Sequence, residues 1–393
     1  MDLRQHLAGT GTGDLVAVAV PPGPVWVPLM RELWTSGAAV LPLDPRLHGA
    51  ELRAVVDRAG PSLVLDEDGA TVRTDGRAVE SGTSVVLATS GTAGTPRVVE
   101  LSRSAVESAV RGSAEALGSA AGESWLCCLP VAHVGGLLVI LRGVITGAPV
   151  EVHPGFDSAA VSVAEADHVS LVPTMLHRLL EAGADLGRFR SMLVGGAGLA
   201  DATAETARDR GGRVVTTYGL TETCGGIAYD GRLFDGTSAR LGPEGEVQLA
   251  GPTLMRGYLG DPAATASAFT LDGWLRTGDA GTIGDDARLR VHGRLDERIR
   301  TGAETVWPHE VEAALREHAK VAEIAVAGRP DPEWGQHVVA FVVPVRVDEP
   351  PTLEELRDHA AERIARFKAP RELILLPELP RTSSGKIRRA ELR

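Results

Sequence analysis

The chain has 393 residues, 44% of them hydrophobic and 23% charged, with a formal net charge of -12. That length exceeds what a single core supports and predicts two domains. The negative balance excludes a general nucleic-acid binder, since nothing would neutralise a phosphate backbone at scale, but it leaves room for small anionic substrates in local cationic pockets.

The first part of the chain alternates strand and helix patterns. Asp14 to Val20 reads as a strand ended by Pro21-Pro22-Gly23-Pro24. Val27 to Ser36 has helical apolar spacing closed by Gly37, and Ala38 to Leu43 is the next apolar run. Further strands are expected at Ser62–Leu65, Ser84–Thr89, Pro149–His153, His168–Val172, Ser191–Val194 and Arg213–Thr217, with helices at Ser104–Leu117 and Pro173–Ala182. This rhythm predicts an α/β fold of parallel sheets covered by helices, with ligands at the carboxyl ends of the strands. After about Arg240 the texture becomes β-rich, as in Glu244–Gly251 and Gly281–Val291. Beyond Gly293-Arg294-Leu295-Asp296 a compact α+β pattern follows: helix His309–Glu317, strands Val321–Ala327 and His337–Val343, helix Leu353–Phe367, and a strand near Glu372–Leu376. The expected organisation is a large N-terminal domain, residues 1–295, with the small β-rich unit inside it, and a small mobile C-terminal domain, residues 296–393.

Six segments carry the chemistry. Thr89-Ser90-Gly91-Thr92-Ala93-Gly94-Thr95-Pro96-Arg97 leaves the end of an expected strand. Its glycines let backbone N–H groups approach a phosphate, its hydroxyls add donors, and Arg97 adds a fixed charge suited to phosphate oxygens. It lacks the Gly-x4-Gly-Lys-Ser/Thr pattern of the Walker loop, and such clusters also occur as plain surface loops. In Leu129-Pro130-Val131-Ala132-His133-Val134-Gly135-Gly136, His133 stands as in a pocket wall, although a lone histidine on an apolar run is more often a satisfied core residue. Thr217-Tyr218-Gly219-Leu220-Thr221-Glu222-Thr223 follows a strand expected to end at Thr217. There a tyrosine can stack on a base, a threonine can donate to phosphate, and a glutamate offers oxygen to a hard cation. Asp279, between glycines, is placed to accept from two ribose hydroxyls, though Gly-Asp is also a common turn signal. Gly293 to Gly302 reads as a charged hinge or a solvated linker, and Lys386, in Ser383-Ser384-Gly385-Lys386, as a mobile cation or a solvated tail residue.

Taken in order, these segments resemble the adenylate-forming superfamily of acyl-CoA synthetases, luciferases and peptide-synthetase adenylation domains, from the Val16 strand to Lys386. Within it the chain is most similar to the o-succinylbenzoate–CoA ligases of actinobacterial type. The residues behind that narrower likeness are Ser170-Leu171-Val172-Pro173-Thr174, Val306-Trp307-Pro308-His309-Glu310-Val311-Glu312, and His133 with Arg142. The resemblance implies an ATP-dependent acid–thiol ligase: a carboxylate attacks the α-phosphate of ATP to give acyl-AMP and pyrophosphate, and the acyl group then passes to coenzyme A. It assigns Thr89, Ser90, Gly91, Thr92, Gly94 and Arg97 to the phosphates, Glu222 to Mg²⁺, and Thr221 to the α-phosphate. Asp279 and Arg294 would hold the ribose, and Tyr218, Gly219, Gly196 and Ala197 would lie against adenine. His133, Thr174, His177 and Gly219 would line the acyl site, with Arg178 a further candidate for a second carboxylate. Lys386 would bridge acyl carboxylate and phosphate, and Asp296 would be the hinge for domain alternation.

Arg97 stands where the family usually has Lys, Ala93 where it has Ser or Thr, and Ala303 where it has Gly. Arg97 keeps the charge, Ala93 removes one donor, and Ala303 touches the loop expected to face the thiol. Two other readings stay open: an adenylating ligase of specialised metabolism acting on another small or aryl acid for coenzyme A or a carrier protein, and a catalytically silent acyl- or nucleotide-binding paralogue. The sequence leaves self-association into a homo-oligomer open. The three cysteines, Cys127, Cys128 and Cys224, show no CxxC or metal-ligand spacing. With no charged-then-apolar leader and no run of membrane-spanning length, a cytoplasmic protein is expected.

Overall fold

The structure is a computed structural model that describes Leu7 and residues 9–89, 96–381 and 387–392. Contacts divide the chain into two compact units. The larger holds residues up to Arg240 with Gln248–Thr277 and Ile283–Leu289, and the smaller holds Leu241–Val247, Gly278–Thr282 and Arg290–Arg393.

The larger unit contains two seven-stranded sheets. In the first, β1 (Leu15–Val18), β2 (Ala39–Pro42), β3 (Leu63–Leu65) and β5 (Thr83–Thr89) run parallel. Antiparallel strands close its edges: β4 (Ala70–Val72) on one side, β6 (Arg97–Ser102) and β16 (Gly257–Tyr258) on the other. The central strands are apolar on both faces, as expected of parallel strands covered by helices. In the second sheet β7 (Trp125–Cys127), β8 (Val150–Val152), β9 (His168–Leu171), β10 (Ser191–Val194) and β11 (Val214–Leu220) run parallel. β12 (Gly225–Tyr229) and β13 (Arg232–Leu233) continue it antiparallel.

Helices Trp26–Ser36, Arg103–Leu117 and Val134–Thr146 bury their apolar sides in one core cluster with residues of both sheets, among them Trp26, Leu29, Val40, Val106, Ile140 and Leu193. Trp26–Ser36 ends where Gly37 takes φ of 84°, a left-handed conformation that glycine adopts without steric cost. Ser102 caps the Arg103 helix by accepting the Ala105 N–H. Cys127, Cys128 and Cys224 are all buried free thiols, and burial pushes each up to about 12.

β14 (Ser238–Leu241), β15 (Glu246–Ala250), β17 (Leu275–Ile283) and β18 (Leu289–Arg294) form a four-stranded sheet in that order, and the division of the chain falls within these strands. The remainder of the smaller unit is a sheet of β19 (Ile299–Thr301), β20 (Glu304–Val306), β21 (Val321–Asp331), β22 (Gly335–Pro344) and β23 (Glu372–Leu375), packed with helices Pro308–Arg316 and Leu353–Ala361. Thr352 and Glu355 form a capping box that starts the second helix. This helix stops at Ala361, short of the expected Phe367. The chain turns there so that Ile364 packs against the core, and Arg366–Lys368 forms a separate 3-10 turn. Among the described residues no helix is long and apolar enough to cross a membrane.

Candidate active site

β5 and β6 are neighbours in an antiparallel pair whose register sets Thr89 opposite Arg97. The stretch expected to hold phosphate therefore starts and ends at the mouth of a hairpin. Ser90, Gly91, Thr92, Ala93, Gly94 and Thr95 lie outside the described residues. On the far side of β6, β16 sets Tyr258 opposite Val99. The Arg97 guanidinium stands 5.2 Å from the centroid of the Tyr258 ring, and the Tyr258 hydroxyl donates to Glu222 Oε1 at 2.9 Å. A second bond, Met255 N–H to the Glu222 carbonyl at 2.8 Å, ties the same two segments through the backbone. Arg97, Tyr258 and Glu222 thus form one chain of contacts: a cation, an aromatic ring and a carboxylate. Burial pushes the Tyr258 hydroxyl up to about 12 and the Glu222 charge adds to the shift, against the pull of Arg97. Tyr258 stays a proton donor at neutral pH and holds Glu222 as an acceptor.

Glu222 reaches this position through a tightly built turn. β11 runs past the expected end at Thr217 to Leu220, so Tyr218 and Gly219 lie within a strand, paired with β12 and offset by a bulge between them. A Cβ on Gly219 would lie 1.9 Å from the Gly225 carbonyl oxygen, so only glycine fits. Thr221, Glu222 and Thr223 form one 3-10 turn. The buried Thr223 hydroxyl accepts the Leu220 N–H at 2.8 Å and donates to the Gly225 carbonyl at 2.7 Å, which leaves Thr221 and Glu222 as the outward members. Gly219→Ala is expected to force these backbones apart, lower the melting temperature by several degrees and abolish acid-dependent pyrophosphate release. Thermal melting and a release assay on the purified variant check this.

Other expected residues gather at the carboxyl ends of the second sheet. Gly196, with φ of 80°, and Ala197 follow β10, next to β11; a Cβ on the adjoining Gly195 would lie 2.1 Å from Thr217 Oγ1. The helix Pro173–Glu181 starts straight after β9 and carries Thr174 and His177, both exposed. His177 Nε2 is 3.4 Å from Glu181 Oε1, one helical turn on.

His133 occupies the N-cap position of helix Val134–Thr146. Its Nε2 lies 3.3 Å from Arg46 Nη2 and 3.6 Å from Asp44 Oδ2. Arg46 grips Asp44 through both carboxylate oxygens, at 2.9 and 2.6 Å. Burial alone would raise the Asp44 carboxyl, and the hydrogen bonds and charge of Arg46 outweigh it, so the group sits below the usual carboxylate range. Asp44, Arg46 and Tyr258 escaped sequence reading. Asp44 and Arg46 pair locally, but their contact with His133, like that of Tyr258 with Glu222, is made between segments distant in sequence, and no local motif marks it.

In the smaller unit the structure brings three expected residues together. Asp279 lies buried on β17, and Arg294 ends β18. Arg294 Nη1 is 3.5 Å from Asp279 Oδ1, and its Nε is 3.4 Å from Asp296 Oδ1. Burial opposes the Arg294 charge, and the two aspartates more than restore it. Gly278 takes φ of 69°, and its carbonyl accepts the Leu295 N–H at 2.9 Å. Lys386 lies outside the described residues.

The described residues contain no group of three or more His, Cys, Asp or Glu able to hold a metal. Magnesium in a nucleotide site takes one or two carboxylates and completes its shell with phosphate oxygens and water. Glu222, a hard oxygen donor on a half-buried turn, fits such a role.

The larger unit thus carries the hairpin and the Glu222 turn, and the smaller unit carries the buried aspartate. The family model for AMP-binding enzymes matches residues 77–259, and that for their C-terminal domain matches residues 310–386. The chain belongs to this family, the adenylate-forming enzymes. Its relatives include the 2-succinylbenzoate–CoA ligase of Listeria monocytogenes, 31% identical over 403 residues, which cover 93% of this chain and 85% of the relative. A probable 2-succinylbenzoate–CoA ligase of Mycobacterium tuberculosis is 38% identical over 331 residues, covering 81% and 85% of the two chains. Among solved structures, o-succinylbenzoate CoA synthetase of Bacillus subtilis, in complex with its acyl-adenylate intermediate, superposes with a TM-score of 0.89 at 26% identity, over 100% of this chain and 90% of the other. The same synthetase with ATP and a magnesium ion gives a TM-score of 0.88 at 26% identity, over 99% and 92%.

Proposed function

We propose that this protein is an ATP-dependent 2-succinylbenzoate–CoA ligase serving menaquinone biosynthesis in the cytoplasm. What carries this reading is the end-to-end likeness to a synthetase solved with the 2-succinylbenzoyl adenylate. The first half-reaction joins a substrate carboxylate oxygen to the α-phosphorus of ATP, and the bond to pyrophosphate breaks with its electron pair leaving on that group. In the second, the coenzyme A sulfur attacks the acyl carbon, its proton is lost, and AMP departs.

The charge that develops lies on phosphate oxygens, so catalysis is mainly positioning and electrostatic stabilisation. Thr89, Ser90, Gly91, Thr92, Gly94 and Arg97 grip the leaving pyrophosphate, and Thr221 donates to the α-phosphate. Magnesium, when bound with ATP, neutralises phosphate charge, and Glu222 is the residue that holds it. Asp279 accepts from the ribose hydroxyls with Arg294 beside it, while Tyr218, Gly219, Gly196 and Ala197 flank adenine. His133, Thr174, His177 and Gly219 line the acyl site. Lys386 bridges carboxylate and phosphate, and the C-terminal domain, taken from residue 296, turns about Asp296 between half-reactions.

Pyrophosphate release with ATP across a panel of acids, with and without coenzyme A, tests this. Strong coenzyme A-dependent turnover of 2-succinylbenzoate is expected. Turnover of other acids alone would replace the substrate, transfer only to a carrier protein would replace the acceptor, and no turnover at all would sink the reading.

A further inference from the structure

The C-terminal segment folds back onto the smaller unit at several points. Arg381 and Ile387 form an isolated antiparallel bridge, and the Pro380 carbonyl accepts the Arg388 N–H at 2.8 Å. Arg381 also meets Glu323 at 3.0 Å. Leu392 and Ile387 pack with Leu379, Phe341 and Ala325 in a small apolar cluster. In sequence Lys386 falls between these fixings, one residue before Ile387 and three before Arg389.

Arg389 adds a polar clasp that joins three separate segments. Its Nη2 donates to both oxygens of Glu312, at 2.6 and 2.8 Å, and its Nη1 lies 3.5 Å from Glu297 Oε2. Glu312 belongs to helix Pro308–Arg316, its side chain is only 7% exposed, and its Oε1 also accepts the Val326 N–H at 2.8 Å. Glu297 is the neighbour of Asp296. Tail, helix and the segment after the expected hinge therefore meet on one guanidinium. Burial opposes the Arg389 charge, and Glu312 and Glu297 more than restore it. Burial also raises the Glu297 carboxyl, with Arg389 pulling the other way. Apolar packing of Leu392 and Ile387 would retain the tail without this clasp. What the clasp adds is direction, because one guanidinium nitrogen shared between both Glu312 oxygens and a second turned to Glu297 hold the planar group at two points.

We propose that Arg389 is a positioning residue for acyl-adenylate formation, fixing the backbone that follows Lys386 in sequence through its grip on Glu312 and Glu297. The proposal rests on the reading of Lys386 given above. Arg389 touches no reactant; it acts by fixing the segment three residues after the lysine, and misplacing a catalytic group by about 1 Å can cost ~100-fold in rate. Thioester formation from preformed acyl-adenylate does not use Lys386 and leaves the clasp without a role.

The test measures two half-reactions on the full chain: ATP–pyrophosphate exchange with 2-succinylbenzoate, and single-turnover thioester formation from the synthetic acyl-adenylate and coenzyme A. Arg389→Met is expected to lower the exchange kcat by ~10- to 100-fold, with the KM for ATP within about threefold and thioester formation within about twofold. Arg389→Lys, which keeps charge but not the fork, should recover part of the loss. Equal losses in both half-reactions, or undiminished exchange, would overturn the proposal. Lys386→Ala serves as the control. If it keeps full exchange, the reading of Lys386 fails and the proposal falls with it; if it loses exchange while Arg389→Met does not, the clasp alone is wrong. Should Arg389→Met not fold, Glu312→Gln carries the same test with the same expected split.

Discussion

Glu222→Gln is expected to lower acid-dependent pyrophosphate release by ~1,000-fold at ordinary magnesium concentrations. Glutamine keeps the length and shape of the side chain, and its amide oxygen still accepts from the Tyr258 hydroxyl that reaches Glu222 Oε1 at 2.9 Å. The backbone bond from Met255 is untouched. What the substitution removes is one negative charge, and a hard divalent cation among phosphate oxygens depends on that charge. The variant should therefore need far more magnesium for half-maximal rate at saturating ATP, with thermal stability little changed. Tyr258→Phe provides the scale. It leaves the carboxylate and removes only one hydrogen bond to a charged acceptor, worth about 1.5–3 kcal/mol, so its loss should stay near ~10- to 100-fold. Magnesium titrations of the release rate on both variants decide the point. A glutamine variant with unaltered magnesium dependence would remove Glu222 from the metal site.

Where the sequence was legible, local chemistry and tertiary structure agreed. Val85, Val86 and Leu87 had to be a buried strand because no other placement covers so much apolar surface, and they form the middle of β5. Gly37 had to end a helix, and it does so at positive φ. Asp279 and Arg294, expected together at the ribose, have side chains that meet, although both lie within strands. The rest depended on register and packing. Nothing before Arg97 announces that the segment after the Thr89 loop returns antiparallel to β5; that follows from pairing. The Tyr218 motif looked like the turn beyond a strand because Tyr-Gly is a turn signal, yet β12 arrives alongside and draws it into the sheet as far as Leu220. Tyr258 sits in a two-residue strand with no periodicity of its own, and Asp44 and Arg46 follow a proline-bounded strand end like many others. Their roles come from contacts with Glu222 and His133, made across 36 and 87 positions of sequence respectively.

Lys386→Ala should separate the two half-reactions more sharply than any other single change. During adenylation a carboxylate must approach a polyphosphate, two anions whose repulsion falls only when a cation lies between them. The ammonium of a lysine suits that place because it is compact, strongly charged and carries three donors. Its removal is expected to cut acyl-adenylate formation by ~1,000-fold or more. In the second half-reaction the acyl carbon is already activated, pyrophosphate has gone, and the attacking sulfur needs no bridge to phosphate. Thioester formation from preformed acyl-adenylate should then stay within about twofold of the parent. The asymmetry is the informative quantity, since a lysine that merely stabilised the tail would affect both steps alike. Single-turnover measurements of each half-reaction, with melting curves alongside, read it directly, and parallel losses would exclude a lysine specific to adenylation. Arg389, clasped by Glu312 and Glu297, is expected to show the same asymmetry in weaker form. Arg389→Met misplaces the charge where Lys386→Ala deletes it, and a misplaced cation still screens part of the repulsion.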